Sequence, residues 1–288
     1  LIFMEDMGTQ IAAYGDSTVP TTALDKLAEQ SVVFENAYCT QASCSPSRSS
    51  MFTGLYPHQN GQIGLATHKF AMYRQDTPNI VTLLQEHGYR NGLIGKLHVN
   101  PPTAFPFDLT AIPSANFNRK QSPADYATAA ARFFEQSKDA PWFLSVNFPD
   151  AHLPFVRQAH GVPIDPLDAD DVKPMPWIGV DTPRLREQVA NYYNCLARLD
   201  HAVGLLLKEL QQAGEVDRTL IFYIGDHGAQ FPRGKGTVYE SALRVPMIVR
   251  WPGSSPVGQV RHELVSTLDL LPTTLVAAGI EPAGNLPG

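Results

Sequence analysis

The stretch Leu220-Ile221-Phe222-Tyr223-Ile224-Gly225-Asp226-His227-Gly228 decides how this chain folds. An apolar and β-branched run, stopped by glycine and then by polar residues, reads as a buried strand whose carboxyl end carries an acid and an imidazole. The same grammar recurs three times. Leu1–Met4 runs into Glu5-Asp6, Gly92–Gly95 into Lys96 and His98, and Trp142–Phe148 into Asp150 and His152. Two further strands are predicted at Val32–Tyr38 and Met247–Arg250. Helical patterns separate them, at Thr22–Gln30, Ser47–Gly54, Ile80–His87, Pro123–Gln136, Arg184–Ala213 and Ser266–Ala278. Alternating strands and helices imply an α/β fold with a largely parallel sheet. In such a sheet the carboxyl ends share one edge, where ligands bind. Four strands therefore deliver carboxylates, imidazoles and an ammonium to one crevice.

The longest helix carries the clearest pattern. Leu185, Val189, Tyr192, Leu196, Leu199, Val203, Leu206 and Leu210 step by threes and fours, one apolar stripe facing the sheet. Cys195 lies beside that stripe and reads as a small core residue. Segments 100–122 and 152–181 have no such period, and Pro154, Pro163, Pro166, Pro174 and Pro176 exclude a helix interior from the second. Connections this long are expected to wall a pocket. Asp150 reads more simply as a turn cap than as a ligand.

With 288 residues the chain is long enough for one large domain. A net charge of −6 and a pI near 5.8 leave no broad basic surface for nucleic acid or an anionic membrane. No apolar run is long enough to span a bilayer. Cys39, Cys44 and Cys195 are too few for a disulfide framework and lack zinc-site spacing. Leu1 opens inside a strand and the last residues, from Pro282, read as a loop, so the chain is expected to be a fragment cut at both ends.

Glu5, Asp6 and Asp226 would crowd three negative charges together, which is costly without a cation. Hard oxygen donors favour Ca²⁺ or Mg²⁺, whereas the imidazole of His227 also suits Mn²⁺ or Zn²⁺.

Cys44-Ser45-Pro46-Ser47-Arg48, closed by Gly54, adds a specific motif. It resembles the signature of the type I sulfatases, in which the cysteine is oxidised to formylglycine. Gly95-Lys96-Leu97-His98 looks like that family's Gly-Lys-X-His segment, and Gly225-Asp226-His227-Gly228 like its second metal-binding segment. Lys235 to Glu240, followed by Arg244-Val245-Pro246, looks like its lysine loop. The likeness is greatest to the sulfamidase branch, the N-sulfoglucosamine sulfohydrolases. It is carried by Ser43 to Arg48, by His58-Gln59-Asn60-Gly61, by Gly64-Leu65, by His98-Val99 and by Phe105-Pro106-Phe107-Asp108.

The resemblance implies an alkaline-phosphatase-like sandwich, a central mixed sheet between helices, with the family's smaller C-terminal subdomain missing from this single catalytic domain, residues 1–288. It implies metal ligands Glu5, Asp6, Cys44, Asp226 and His227, with Ca²⁺ the expected ion and Mg²⁺ or Mn²⁺ as alternatives. It implies a catalytic set of Cys44, Arg48, Lys96, His98, His152 and Lys235. Hydrated formylglycine at position 44 would attack sulfur, Arg48 would hold the diol, and Lys96 and Lys235 would pair with sulfate oxygens. His152 would protonate the leaving atom, and His98 would take the second hydroxyl's proton so that sulfate departs. Expected partners are a sulfated saccharide, with an N-sulfated glucosamine foremost, and a formylglycine-generating enzyme. Family members are mostly exported to a periplasm or a lysosome or secreted. Glu5, where the family has an aspartate, and His227, where the sulfamidases have an asparagine, are departures. They keep two alternatives open: a phosphonate or phosphodiester hydrolase of the same superfamily, and a non-catalytic carbohydrate-binding relative.

Overall fold

A computed structural model describes residues 1–282, 284 and 286–288. In chain order the main elements are β1 (Ile2–Met4), α1 (Thr22–Glu29), β2 (Val32–Tyr38), α2 (Cys44–Thr53), α3 (Pro57–Asn60) and α4 (Ile80–Glu86). There follow β3 (Arg90–Gly95), β4 (Leu109–Ala111), α5 (Pro123–Ser137), β5 (Trp142–Phe148) and α6 (Pro183–Gln212). The remainder is β6 (Ile221–Gly225), α7 (Glu240–Leu243), β7 (Met247–Arg250), β8 (Gln259–Ser266) and α8 (Leu270–Ala277).

All eight strands of the described residues join one sheet in the order β4-β3-β5-β1-β6-β7-β2-β8. β7 alone runs antiparallel to both its neighbours, so the sheet is mixed but mostly parallel. The four strands whose ends carry the polar residues are contiguous, β3-β5-β1-β6. That contiguity turns a pattern along the sequence into a site in space.

Each face of the sheet has its own apolar layer. On one face lie Leu24 of α1, Phe133 of α5 and the predicted stripe of α6, in which Val189, Tyr192, Leu196, Leu199, Val203, Leu206 and Leu210 are all buried. On the other face lie Phe52 of α2, Ile80 and Leu84 of α4, and Leu271 and Leu275 of α8. Cys195 is buried in α6 as expected. α6 starts where Thr182 Oγ1 accepts from the Leu185 amide and Pro183 occupies the first turn.

The structure corrects four local expectations. α2 begins at Cys44 rather than Ser47, so Pro46 sits inside the first turn, where no intrahelical amide is needed. The irregular segment 100–122 holds a short strand, β4, on the sheet's edge. β8 closes the other edge and escaped notice because its residues are mostly exposed and polar. Asp150 is no turn cap: its carboxylate accepts from Arg198 Nε of α6 in a buried ion pair.

Candidate active site

The site grows from the ends of β1, β3, β5 and β6 and the start of α2. Asp6 turns the chain out of β1 with a φ of 52°, in the left-handed region that aspartate tolerates better than most residues. Its amide donates to Asp226 Oδ1 at 2.9 Å, and the His227 amide donates to the same oxygen at 3.0 Å. The ends of β1 and β6 are thus stitched together by one carboxylate. Ser47 of α2 donates to the Asp226 carbonyl at 2.5 Å, fixing the helix against that strand end.

Two glycines permit the close approach. A Cβ on Gly228 would lie 1.8 Å from the Ser241 carbonyl oxygen. Gly95 has a φ of 90°, and a Cβ there would lie 2.4 Å from the Asn147 carbonyl oxygen. No side chain fits either place.

Arg48 is fully buried and ties the floor together. Its Nε donates to Asp226 Oδ2 at 3.1 Å and its Nη2 to Glu5 Oε1 at 2.8 Å. Its Nη1 donates to the Lys96 carbonyl at 3.0 Å and to Asn147 Oδ1 at 2.7 Å. The other carboxylate oxygen of Glu5 accepts from Lys96 Nζ at 2.8 Å, and Asp6 Oδ2 accepts from Lys235 Nζ at 2.7 Å. Three carboxylates and three cations alternate in a buried cluster, the arrangement that keeps such charges affordable.

Above this floor the donor atoms converge. Cys44 Sγ lies 3.7 Å from Asp6 Oδ1 and 3.4 Å from His227 Nε2. His227 Nε2 lies 3.2 Å from Asp6 Oδ1 and 3.7 Å from Asp226 Oδ1. One donor atom from each of Asp6, Cys44, Asp226 and His227 falls within 4.8 Å of the others, and so does a second set of Glu5, Asp6, Cys44 and His152. The Gly228 carbonyl can only accept, so at 2.9 Å it accepts a hydrogen bond from the His227 Nδ1–H and leaves Nε2 facing the acids. A metal-binding histidine is typically held in this way. Burial alone would depress the His227 pKa, but Asp226 and Asp6 overcome it and raise the pKa well above the ordinary imidazole value. Asp6 is held well below the carboxylate range, with burial opposing and His227 and Lys235 prevailing. The pocket is built for positive charge, and its donors fit a divalent cation. Both oxygens of Glu5 are already taken, by Arg48 and Lys96, and those of Asp226 by Arg48 and two backbone amides, so an ion shares these acids with their present partners.

The remaining histidines differ in kind. His98 is held with φ 59°, and neither of its buried ring nitrogens has a partner among the described residues. Burial, then Lys96 and Arg48, push its pKa down to about 3, so the ring is a neutral base at ordinary pH. His152 donates from Nδ1 to the Leu153 carbonyl at 2.6 Å, and its Nε2 lies 3.7 Å from Asp6 Oδ2. Burial lowers its pKa as well, with Asp6 opposing. The structure brings Glu5, Asp6, Cys44, Arg48, Lys96, His152, Asp226, His227 and Lys235 into one network of contacts, with His98 two residues beyond Lys96 and its ring hydrogen-bonded to none of them. Sequence reasoning missed Asn147, Ser47 and Phe117, whose ring stacks on His152. Asn147 had a signal, being a polar residue inside an apolar strand, and Ser47 lies within the Cys44 motif; Phe117 had none.

Across residues 1–280 the chain matches the model of the family described as Sulfatase. It belongs to the sulfatase family. Human N-sulphoglucosamine sulphohydrolase is 34% identical, over 96% of this chain and 59% of that protein. An ulvan-active sulfatase of Formosa agariphila is 28% identical, over 99% of this chain and 52% of its own length. The chain thus spans between half and three fifths of these two relatives. The crystal structure of yidJ from Bacteroides fragilis superposes with a TM-score of 0.81 at 25% identity, covering 96% of this chain and 73% of the other. This sulfatase chain has the fold its resemblance implied, alkaline-phosphatase-like, with a mostly parallel mixed sheet between helices. Among its described residues no helix is long and apolar enough to cross a membrane.

Proposed function

We propose that residues 1–288 form a single catalytic domain that removes sulfate from a sulfated sugar, foremost the N-sulfate of a glucosamine residue. The observation that carries this reading is Cys44 at the first turn of α2, in contact with Asp6 and His227 and ringed by Arg48, Lys96 and Lys235. A soft thiol amid hard oxygen donors makes little sense as a final ligand set. An oxygen nucleophile made from that cysteine makes good sense.

Cys44 is matured to formylglycine by a dedicated enzyme, and its hydrate supplies the attacking oxygen. Asp6, Asp226, His227 and residue 44 would hold a divalent ion, with Glu5 beside them; Ca²⁺ is the first choice, Mg²⁺ or Mn²⁺ the alternatives. When bound, such an ion would supply Lewis acidity, making a hydroxyl of residue 44 a better nucleophile at neutral pH. Arg48 fixes residue 44 through the floor it builds. Lys96 and Lys235, already lodged among carboxylates, turn to the sulfate oxygens and stabilise charge that grows in the transition state. His152 Nε2 protonates the departing nitrogen or oxygen. His98, neutral and without partners, accepts the second hydroxyl's proton and so releases sulfate. An anion of this class belongs to extracellular, periplasmic or lysosomal glycans, which suits an exported enzyme.

The likeness to N-sulphoglucosamine sulphohydrolase supports the choice of sugar. Sulfate release by the full-length, matured protein should be faster from glucosamine N-sulfate than from glucosamine 6-O-sulfate. Faster turnover of an aryl phosphonate than of either would replace this reading by the phosphonate hydrolase one. Maturation is checked by intact mass: thiol to aldehyde at Cys44 removes about 18 Da. Active protein with an unmodified Cys44 would sink the mechanism.

A further inference from the structure

Phe117 lies between β4 and α5, in a segment the catalytic scheme does not use. Its ring is parallel to that of His152, with centroids 3.8 Å apart and an angle of 11° between planes. Lys96 Nζ lies 4.9 Å from the centroid of the same Phe117 ring. Lys96 has a second and closer hold, Glu5 Oε2 at 2.8 Å, so the ring bears chiefly on His152.

The backbone behind this ring is fastened to the backbone behind His152. Arg119 is buried, and its Nη1 donates to the Phe117 carbonyl. Its Nη2 donates to the carbonyls of Asp150, His152 and Pro154, at 3.2, 3.0 and 3.3 Å. His160 Nε2 donates to the Arg119 carbonyl at 2.6 Å. One guanidinium thus joins the loop that carries Phe117 to the loop that carries His152, and the Asp150–Arg198 pair anchors the second loop to α6.

An imidazole has a broad, nearly flat torsion about its ring bond, so one hydrogen bond at Nδ1 does not fix the ring plane. Stacking on an aromatic whose backbone is tied to the same guanidinium does. With the plane fixed and Nδ1 held by Leu153, Nε2 is left facing the cluster around Asp6.

We propose that Phe117 is a positioning residue for His152, holding its ring in the orientation that protonates the leaving group. This rests on the role given to His152 above. Acid catalysis matters only for a leaving group that cannot depart as an anion. The nitrogen or oxygen of a sugar is of that kind, whereas nitrophenolate is not.

The test uses the full-length, matured, metal-loaded enzyme with two substrates, glucosamine N-sulfate and 4-nitrophenyl sulfate. Phe117→Leu is expected to lower kcat on the sugar by about 10- to 100-fold, with the loss on the nitrophenyl ester under about 3-fold. Phe117→Tyr, which keeps the stacking face, restores the sugar activity. His152→Ala gives the same substrate pattern, and adding Phe117→Leu to it costs little more, since both act through one step. In a proton NMR spectrum the His152 ring proton between its nitrogens is shifted upfield by the Phe117 ring current, and Phe117→Leu removes the shift. That readout needs neither maturation nor turnover. A substrate pattern in His152→Ala that Phe117→Leu lacks overturns the proposal and spares the acid. No pattern in either variant overturns both, and an unmoved ring resonance overturns the stack itself.

Discussion

At the scale of single residues, Arg48 and His98 define what the site demands. Arg48 spends its whole guanidinium on Glu5, Asp226, Asn147 and the Lys96 carbonyl. Removing it strands two buried carboxylates, so Arg48→Ala is expected to cost about 3–5 kcal/mol of stability in urea denaturation. Arg48→Lys should fare little better, because an ammonium cannot reach four acceptors arranged for a planar fork. A wild-type unfolding curve for either variant would show that the floor is not what holds the strand ends together. His98 makes a pH prediction. Its folded pKa is about 3, and an unfolded histidine titrates near 6.5. Between those values the unfolded chain binds the extra proton, so stability is full above about pH 6.5 and falls as pH drops toward the folded value. His98→Asn, which tolerates the positive φ, should flatten that acid slope; an unchanged slope would show that other groups account for it.

Among the elements, those with an apolar period were legible in sequence, and those without one were not. β2, β5 and β7 match their predicted ends, and α6 is displaced by one residue at each end. Buried strands and amphipathic helices announce themselves because their burial is written in side-chain chemistry. β8 hides, since Arg261, His262 and Glu263 are exposed on an edge strand paired on one side to β2. The candidate site was legible for a related reason: charged residues directly after apolar runs are conspicuous. The links that fix those residues were not, because Ser47, Phe117 and Arg119 act through partners distant in sequence. Asp200 is another such link. From within α6 it accepts from the Leu24 and Ala23 amides at 2.8 and 3.1 Å, and so caps the start of α1. Asp200→Ala should destabilise the fold by about 1–3 kcal/mol, leaving kcat per folded molecule unchanged. Equal stability of variant and parent would mean that α1 does not need this cap.

For the whole molecule, a cation held at the proposed site would couple folding to metal. Its donors come from the ends of β1 and β6 and from the first turn of α2, segments up to 220 residues apart, as the contact between Asp6 and Asp226 shows. The unfolded chain has no such site. An ion bound only by the native state must stabilise it, by about 2.7 kcal/mol at a free concentration 100 times the dissociation constant. For a chain of this size that is a rise of several degrees in melting temperature. Calcium, magnesium or manganese added to chelator-stripped protein should therefore raise Tm in proportion to the logarithm of concentration, whereas sodium chloride at equal ionic strength should not. Asp226→Asn should blunt the response by removing one charge from the set. Asp6 and Asp226 are balanced by Lys235, by Arg48 and, when it is protonated, by His227, so an ion has to compete with these groups for the same oxygens. The metal-induced rise should consequently grow with pH as His227 gives up its proton, and its absence at every pH, with each of the three ions, would remove the cation from the chemistry proposed for this site.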